Sequence, residues 1–140
     1  MNRLLLDTDT FACILQDRYP EVTTLASHYI REFRYFTVSV ITVSEIVECL
    51  ETIQSEEAVV NFLRRSEGLE ILPIGKKESV LAGTILAQLN RIGLRLGVMD
   101  PFVAATAIEN GMQLITNSPR NYQRIIDLGF PLEIGTWHRN

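Results

Sequence analysis

Three consecutive leucines, Leu4-Leu5-Leu6, are followed at once by Asp7-Thr8-Asp9-Thr10. An apolar run with no polar alternation suits a strand buried on both faces, which belongs inside a parallel sheet. The pattern predicts that strand over residues 3–6. A helix should follow over 10–17, capped by Asp9 or Thr8 and ended by Tyr19-Pro20. Val22, Leu25, Ala26, Tyr29, Ile30 and Phe33 fall at helical spacing and predict a second helix over 21–34. Residues 35–38 read as a second strand. Thr42-Val43-Ser44-Glu45 has the Thr-x-x-Glu form of a capping box in the first turn of a helix, with Ile46, Val47, Leu50 and Ile53 as its apolar stripe.

A short helix over 55–66 and a strand over 69–74 come next. The longest helix, over 76–91, has Leu81, Ile85, Leu89 and Ile92 on one face. The loop Gly93-Leu94-Arg95-Leu96-Gly97-Val98-Met99-Asp100-Pro101 leads into an alanine-rich helix over 102–110, which should be buried and closely packed. Asp100 is placed to cap that helix, and Pro101 suits its first position. Gly111 ends it. Residues 112–116 read as a fourth strand, followed by the polar turn Asn117-Ser118-Pro119, a last helix over 120–128, Gly129, and an edge strand over 131–134.

Strands that alternate with helices throughout predict an α/β fold: a three-layer α/β/α sandwich around a mostly parallel central sheet, in one domain over residues 1–140. No internal repeat, low-complexity tract or linker interrupts it. No apolar run approaches the roughly 20 residues of a membrane span, and the N-terminus enters a strand directly, so neither a membrane segment nor a signal peptide is expected. Cys13 and Cys49 lack metal-type spacing and sit in apolar helical patterns. They read as buried free thiols of a cytoplasmic protein.

The net charge of −4 argues against non-specific coating of nucleic acid. Four acids, Asp7, Asp9, Glu45 and Asp100, qualify that reading. With them set aside, 13 acids remain against 13 Lys and Arg, and the rest of the chain is neutral. An acidic total is therefore compatible with a phosphate substrate if those four line one cation-filled site.

Asp7 closes a strand, Glu45 opens the helix after the second strand, and Asp100 opens the buried helix before the fourth. In open α/β sheets, ligand groups gather beyond the carboxyl ends of the strands. Carboxylates brought together there repel one another and raise each other's pKa unless a cation intervenes. Oxygen-only ligands favour Mg²⁺ or Mn²⁺, and such an ion suits hydrolysis of phosphodiesters. Each acid also has a plainer role available: Glu45 closing its capping box, Asp100 capping a helix, Asp7 and Asp9 satisfying a turn. The sequence has no Gly-rich phosphate loop and no GxSxG turn. His28 and His138 stand apart from the other candidates and read as surface or packing residues. Arg91, Arg95, Arg120 and Arg124 flank the acids in sequence and could contact a phosphate backbone, although solvated surface is their default.

Leu-Leu-Leu-Asp7-Thr-Asp9-Thr, Ile41-Thr42-Val43-Ser44-Glu45-Ile46, Gly97-Val98-Met99-Asp100-Pro-Phe-Val-Ala-Ala-Thr-Ala and Leu114-Ile115-Thr116-Asn117-Ser118-Pro-Arg-Asn121-Tyr122 together resemble the motifs of PIN-domain ribonucleases. The length and layout resemble the VapC-type toxins of type II toxin–antitoxin pairs. The resemblance spans the chain. It implies a Mg²⁺- or Mn²⁺-dependent endoribonuclease in which Asp7, Glu45 and Asp100 match the metal ligands and Thr116 matches the threonine that orients the site. It also implies a homodimer and a VapB-type antitoxin whose C-terminal tail fills the acidic groove, often with an arginine aimed at the carboxylates.

Two departures stand out. Asp9 occupies a position where the family commonly has asparagine. After the fourth strand, where many members place a further acid, Asn117, Ser118 and Asn121 are the available oxygen donors. That predicts one firmly held ion, with any second ion arriving with substrate. The alternative reading is a catalytically weak PIN-fold module that works by binding RNA or a partner protein. A phosphoacceptor receiver domain fits poorly, because the strand over 69–74 ends without an aspartate and no lysine follows Thr116.

Overall fold

The chain runs β1 (Leu4–Leu6), α1 (Thr8–Gln16), α2 (Pro20–Phe33), β2 (Thr37–Ser39), α3 (Val40–Thr52), α4 (Glu56–Ser66), β3 (Glu70–Leu72), α5 (Lys76–Arg91), α6 (Asp100–Glu109), β4 (Gln113–Ile115), α7 (Pro119–Asp127) and β5 (Ile134–Gly135) in the computed structural model, which describes residues 2–94 and 97–138. The strands form one sheet in the order β3-β2-β1-β4-β5, and every pair is parallel. The β1–β4 register sets Leu4, Leu5 and Leu6 opposite Gln113, Leu114 and Ile115.

The three leucines show why β1 is central. Leu4 and Leu6 enter a core with Phe11, Val22, Tyr29, Ile46 and Phe62, contributed by α1 to α4. Leu5 points the other way, into a second core with Ile85, Leu89, Val103, Leu114 and Tyr122, built from α5 to α7. Alternation along a strand sends successive side chains to opposite faces. An unbroken apolar run is what a sheet covered on both sides requires. Each leucine so buried contributes about 1.5–3 kcal/mol. The α6 helix is buried through Val103 to Ala107, as its small side chains predict, and packs closely against α5.

Several boundaries differ from the sequence reading. The strands are only two or three residues long, so the chain turns almost directly into its helices. The first helix begins at Thr8, with Asp7 itself as N-cap. The helix after β2 begins at Val40, with Ser39 as N-cap, which makes Glu45 its sixth residue rather than part of a first-turn capping box. Asp100 is the first residue of α6 rather than its cap. On α5, Ala82 joins Ile85 and Leu89 inside, while Ile92 is largely exposed. The thiols are free but not buried: Cys13 is half-buried and Cys49 is exposed. Gly111, at φ +62°, turns the chain out of α6 in a conformation other residues adopt with strain. Among the described residues, no helix is long and apolar enough to cross a membrane.

From β1 the chain moves to β2 and β3 on one side, and later to β4 and β5 on the other. The reversal lies at β1, so a cleft is expected beyond the carboxyl ends of β1 and β4. Asp7 and Thr116 are the residues immediately past those two ends.

Candidate active site

Asp7 leaves β1 with its backbone N–H donating to the Ile115 carbonyl at 2.9 Å, which continues the ladder to β4 for one more residue. Its carboxylate is buried, 8% exposed. One oxygen accepts from the Thr8 N–H at 2.9 Å. The other accepts from the Thr116 hydroxyl at 2.9 Å and from the Tyr122 hydroxyl at 3.0 Å. These donors favour the charged form, but burial and then the neighbouring Asp9 charge outweigh them and push the carboxyl up to about 6.

Asp9 lies in the first turn of α1 and is held by the loop after β4. Its oxygens accept from the Asn117 N–H at 3.1 Å and from the Ser118 hydroxyl at 2.9 Å. Its own turn adds the Thr10 N–H at 2.7 Å. The Thr116 hydroxyl also stands 3.4 Å from Asp9, so it sits between the two aspartates. Thr116 is fully buried and accepts in turn from the Ser118 N–H at 3.0 Å. Thr116 thus ties Asp7, Asp9 and the loop after β4 together.

Glu45 reaches the cleft from the exposed side of α3, where its carboxylate accepts from the Thr8 hydroxyl at 2.8 Å. The Thr8 hydroxyl also lies 3.0 Å from that of Thr42. Thr42 is thus engaged with α1 and does not cap its own helix. Asp100 completes the set from the start of α6. Burial, then the charges of Glu45 and Asp9, raise its carboxyl, against the Tyr122 hydroxyl at 3.4 Å. Gly97 leaves room for it, since a Cβ there would stand 3.3 Å from the Asp100 carboxylate.

The four acids therefore gather at one end of the sheet, as the sequence predicts, but hydroxyl groups stand between them. Among the described residues, no three Asp, Glu, His or Cys side chains converge closely enough, as they stand, to hold a metal ion. None of the four is ion-paired with a described Lys or Arg. A patch of mutually repelling carboxylates with no basic partner among the described residues would suit a hard divalent ion. Mg²⁺ keeps several waters and takes one or two carboxylates, so an open oxygen-only site suits it better than a closed one. Asp7, Glu45 and Asp100 would be the groups to hold such an ion, with Asp9 beside them.

The less certain donors divide. Ser118 is spent on Asp9. The Asn117 carboxamide faces away from the acids, with its nitrogen 3.3 Å from the Cys13 sulfur and its oxygen 3.4 Å from the Thr10 hydroxyl. It acts on the site through its backbone N–H. Asn121 is exposed on α7. Arg91, Arg120 and Arg124 are exposed, and Arg95 lies outside the described residues. His28 is exposed, and His138 pairs with Glu21 at 2.9 Å beside the Tyr19 ring.

Two residues were not singled out by sequence reasoning. Thr8 ties Glu45 to α1, and the alternation of acids and threonines in Asp7-Thr8-Asp9-Thr10 was its signal. Tyr122 links Asp7 to Asp100, and on an amphipathic helix it reads only as core. Burial and the surrounding acids raise its phenol well above the ordinary value, so it remains a donor.

The PIN domain family matches residues 4–125. The chain is 30% identical over 132 residues to Ribonuclease VapC2 of Haemophilus influenzae, covering 91% of this chain and 96% of that one. It is 29% identical over 133 residues to the tRNA(fMet)-specific endonuclease VapC of Salmonella typhimurium, covering 89% and 93%. In three dimensions it superposes on a chain of the DNA-bound VapBC structure from Salmonella typhimurium with a TM-score of 0.80, at 23% identity, over 99% of this chain and 100% of that one. The parallel sheet, the acids at the ends of its central strands and the match along nearly the whole length agree: the chain belongs to the PIN domain family, in its VapC branch.

Proposed function

We propose that the protein is an endoribonuclease that hydrolyses RNA phosphodiester bonds with Mg²⁺ or Mn²⁺, and that it is the toxin of a toxin–antitoxin pair. The observation that carries this reading is the acidic cluster at the ends of β1 and β4, without an ion pair to any described Lys or Arg, in which Asp7 and Asp100 are both raised by burial and by neighbouring acids. Such a cluster is poorly suited to a protein without a cation and well suited to one that loads it. Bound at Asp7, Glu45 and Asp100, the ion would polarise the scissile phosphate and activate water for attack.

The protein's own groups would hold that centre in place. Thr116 and Tyr122 fix Asp7, while Asn117 and Ser118 fix Asp9 beside it. Thr8 holds Glu45 at the rim. Exposed Arg120 and Arg124 on α7 lie one and two turns from the loop that carries Thr116 and would contact the RNA backbone, which positions the strand without reading its sequence.

The name of the Salmonella relative makes transfer RNA the first substrate to try. The likeness to a chain of the VapBC structure from Salmonella typhimurium supports a VapB-type antitoxin as partner. An apolar cavity of about 230 Å³ begins at Thr8 and Glu45 and continues along α1 and α3 past Ala12, Leu15, Ile46 and Leu50. An antitoxin segment with apolar residues there and a basic end on the acids would compete with RNA. A homodimer in the cytoplasm completes the proposal.

The test is cleavage of a mixed RNA pool that includes transfer RNA, with Mg²⁺, with Mn²⁺ and with chelator. Metal-dependent cutting that Asp7→Asn loses is the expected result. Retention of RNA without cutting under any metal would replace the hydrolase with a binding module.

A further inference from the structure

We propose that Tyr122 is a positioning residue of this centre: its buried hydroxyl, within reach of Asp7 and Asp100 together, sets the spacing of the two carboxylates. The role as an ion-holding pair rests on the hydrolase reading above, whereas the bridge itself rests on geometry alone.

The two acids come from distant parts of the chain. Asp7 closes β1, and Asp100 opens α6, on the opposite side of β4 in sequence from Tyr122. Nothing in the local backbone of either element fixes their separation. The Tyr122 hydroxyl stands 3.0 Å from one oxygen of Asp7 and 3.4 Å from one oxygen of Asp100. One oxygen therefore lies between the two carboxylates, its single proton shared between Asp7 on the shorter arm and Asp100 on the longer.

The ring that carries this atom is immobilised. Tyr122 is fully buried and belongs to the core with Leu5, Val103, Leu114 and Ile125. Leu5 lies in β1 two residues before Asp7, and Val103 lies in α6 three residues after Asp100. The ring thus lies in the same core as side chains from both elements whose acids its hydroxyl joins. Phenylalanine would fill that volume equally well, so packing accounts for the ring but not for the oxygen. A buried tyrosine hydroxyl needs a polar partner, and here it has two. Groups that orient the side chains holding an ion typically change ion affinity by about 10–100-fold when removed.

The test is Tyr122→Phe, which keeps the ring, with Tyr122→Leu as a control for lost packing. In metal-free protein at pH 8, the carboxyl carbon resonances of both Asp7 and Asp100 should move in Tyr122→Phe while the thermal midpoint changes little. A shift of Asp7 alone, or of neither, overturns the bridge whatever the ion does. Mn²⁺ titrated calorimetrically should bind Tyr122→Phe roughly tenfold more weakly than wild type, and cleavage should fall through kcat with KM for RNA unchanged. Unaltered Mn²⁺ affinity in Tyr122→Phe overturns the positioning role. Wild-type protein that binds no ion while both resonances still move would sink the hydrolase reading and uphold the bridge.

Discussion

Replacing Asp7 with asparagine should make the metal-free protein more stable at pH 8 while it abolishes hydrolysis. Burial, aided by Asp9, lifts the Asp7 carboxyl from 3.8 to about 6, so the folded protein holds a proton that the unfolded chain has already released. The stability this proton contributes is fully present below pH 3.8 and is lost as the pH rises through about 6. Each pH unit of that interval corresponds to about 1.4 kcal/mol, and ionised Asp7 therefore costs the fold about 3 kcal/mol at pH 8. Asparagine keeps the shape and an N-capping oxygen but cannot satisfy Thr116 and Tyr122 as a carboxylate does, which takes back about 1–2 kcal/mol. The net gain is roughly 1–2 kcal/mol, or roughly 5 °C in Tm for a chain of this size. Melting both proteins in chelator from pH 4 to pH 8 reads it directly. The variant should melt no higher than wild type at pH 4 and clearly higher at pH 8. A variant that melts lower at pH 8, or a difference that does not change with pH, would refute the reasoning.

Other substitutions separate the parts of the site from its scaffold. Thr116→Val removes a donor to Asp7 and the acceptor of the Ser118 N–H. It should cost about 1–2 kcal/mol in urea unfolding. Thr8→Val frees Glu45 and leaves the buried Thr42 hydroxyl without its partner, so Mn²⁺ affinity should fall about tenfold and stability in urea unfolding should fall by about 1 kcal/mol. Gly111→Ala forces a side chain into φ +62° far from the acids; it should destabilise by about 1 kcal/mol and leave Mn²⁺ binding unchanged.

The sequence pattern reached the sheet and its central strand because Leu4 to Leu6 have to be buried on both faces, whatever else the chain does. Asp7 was legible for the same reason: an acid directly after such a strand has nowhere to lie but beyond the sheet. Glu45 was placed correctly beside the cleft through a local pattern that the fold does not use. Thr42 and Glu45 match a capping box, but β2 ends so early that the helix has already begun at Val40, and both side chains turn to Thr8 instead. Asn117 was read as a metal donor from its side chain, whereas its contribution to Asp9 comes from its backbone N–H, which sequence does not display. Tyr122 escaped because its role depends on Asp7 and Asp100, more than 90 residues apart, which only the shared core of β1, α6 and α7 brings together.

The hydrolase reading requires Asp7, Glu45 and Asp100 to load the ion on which RNA hydrolysis depends. Its most direct test is Mn²⁺ titration of metal-free wild type and Asp100→Asn by calorimetry, with transfer RNA then added to the same samples. Wild type should bind one ion and cut, while Asp100→Asn binds at least about tenfold more weakly and leaves the RNA intact. Equal ion binding and equal cutting by the two proteins, or cutting by wild type in excess chelator, would contradict it.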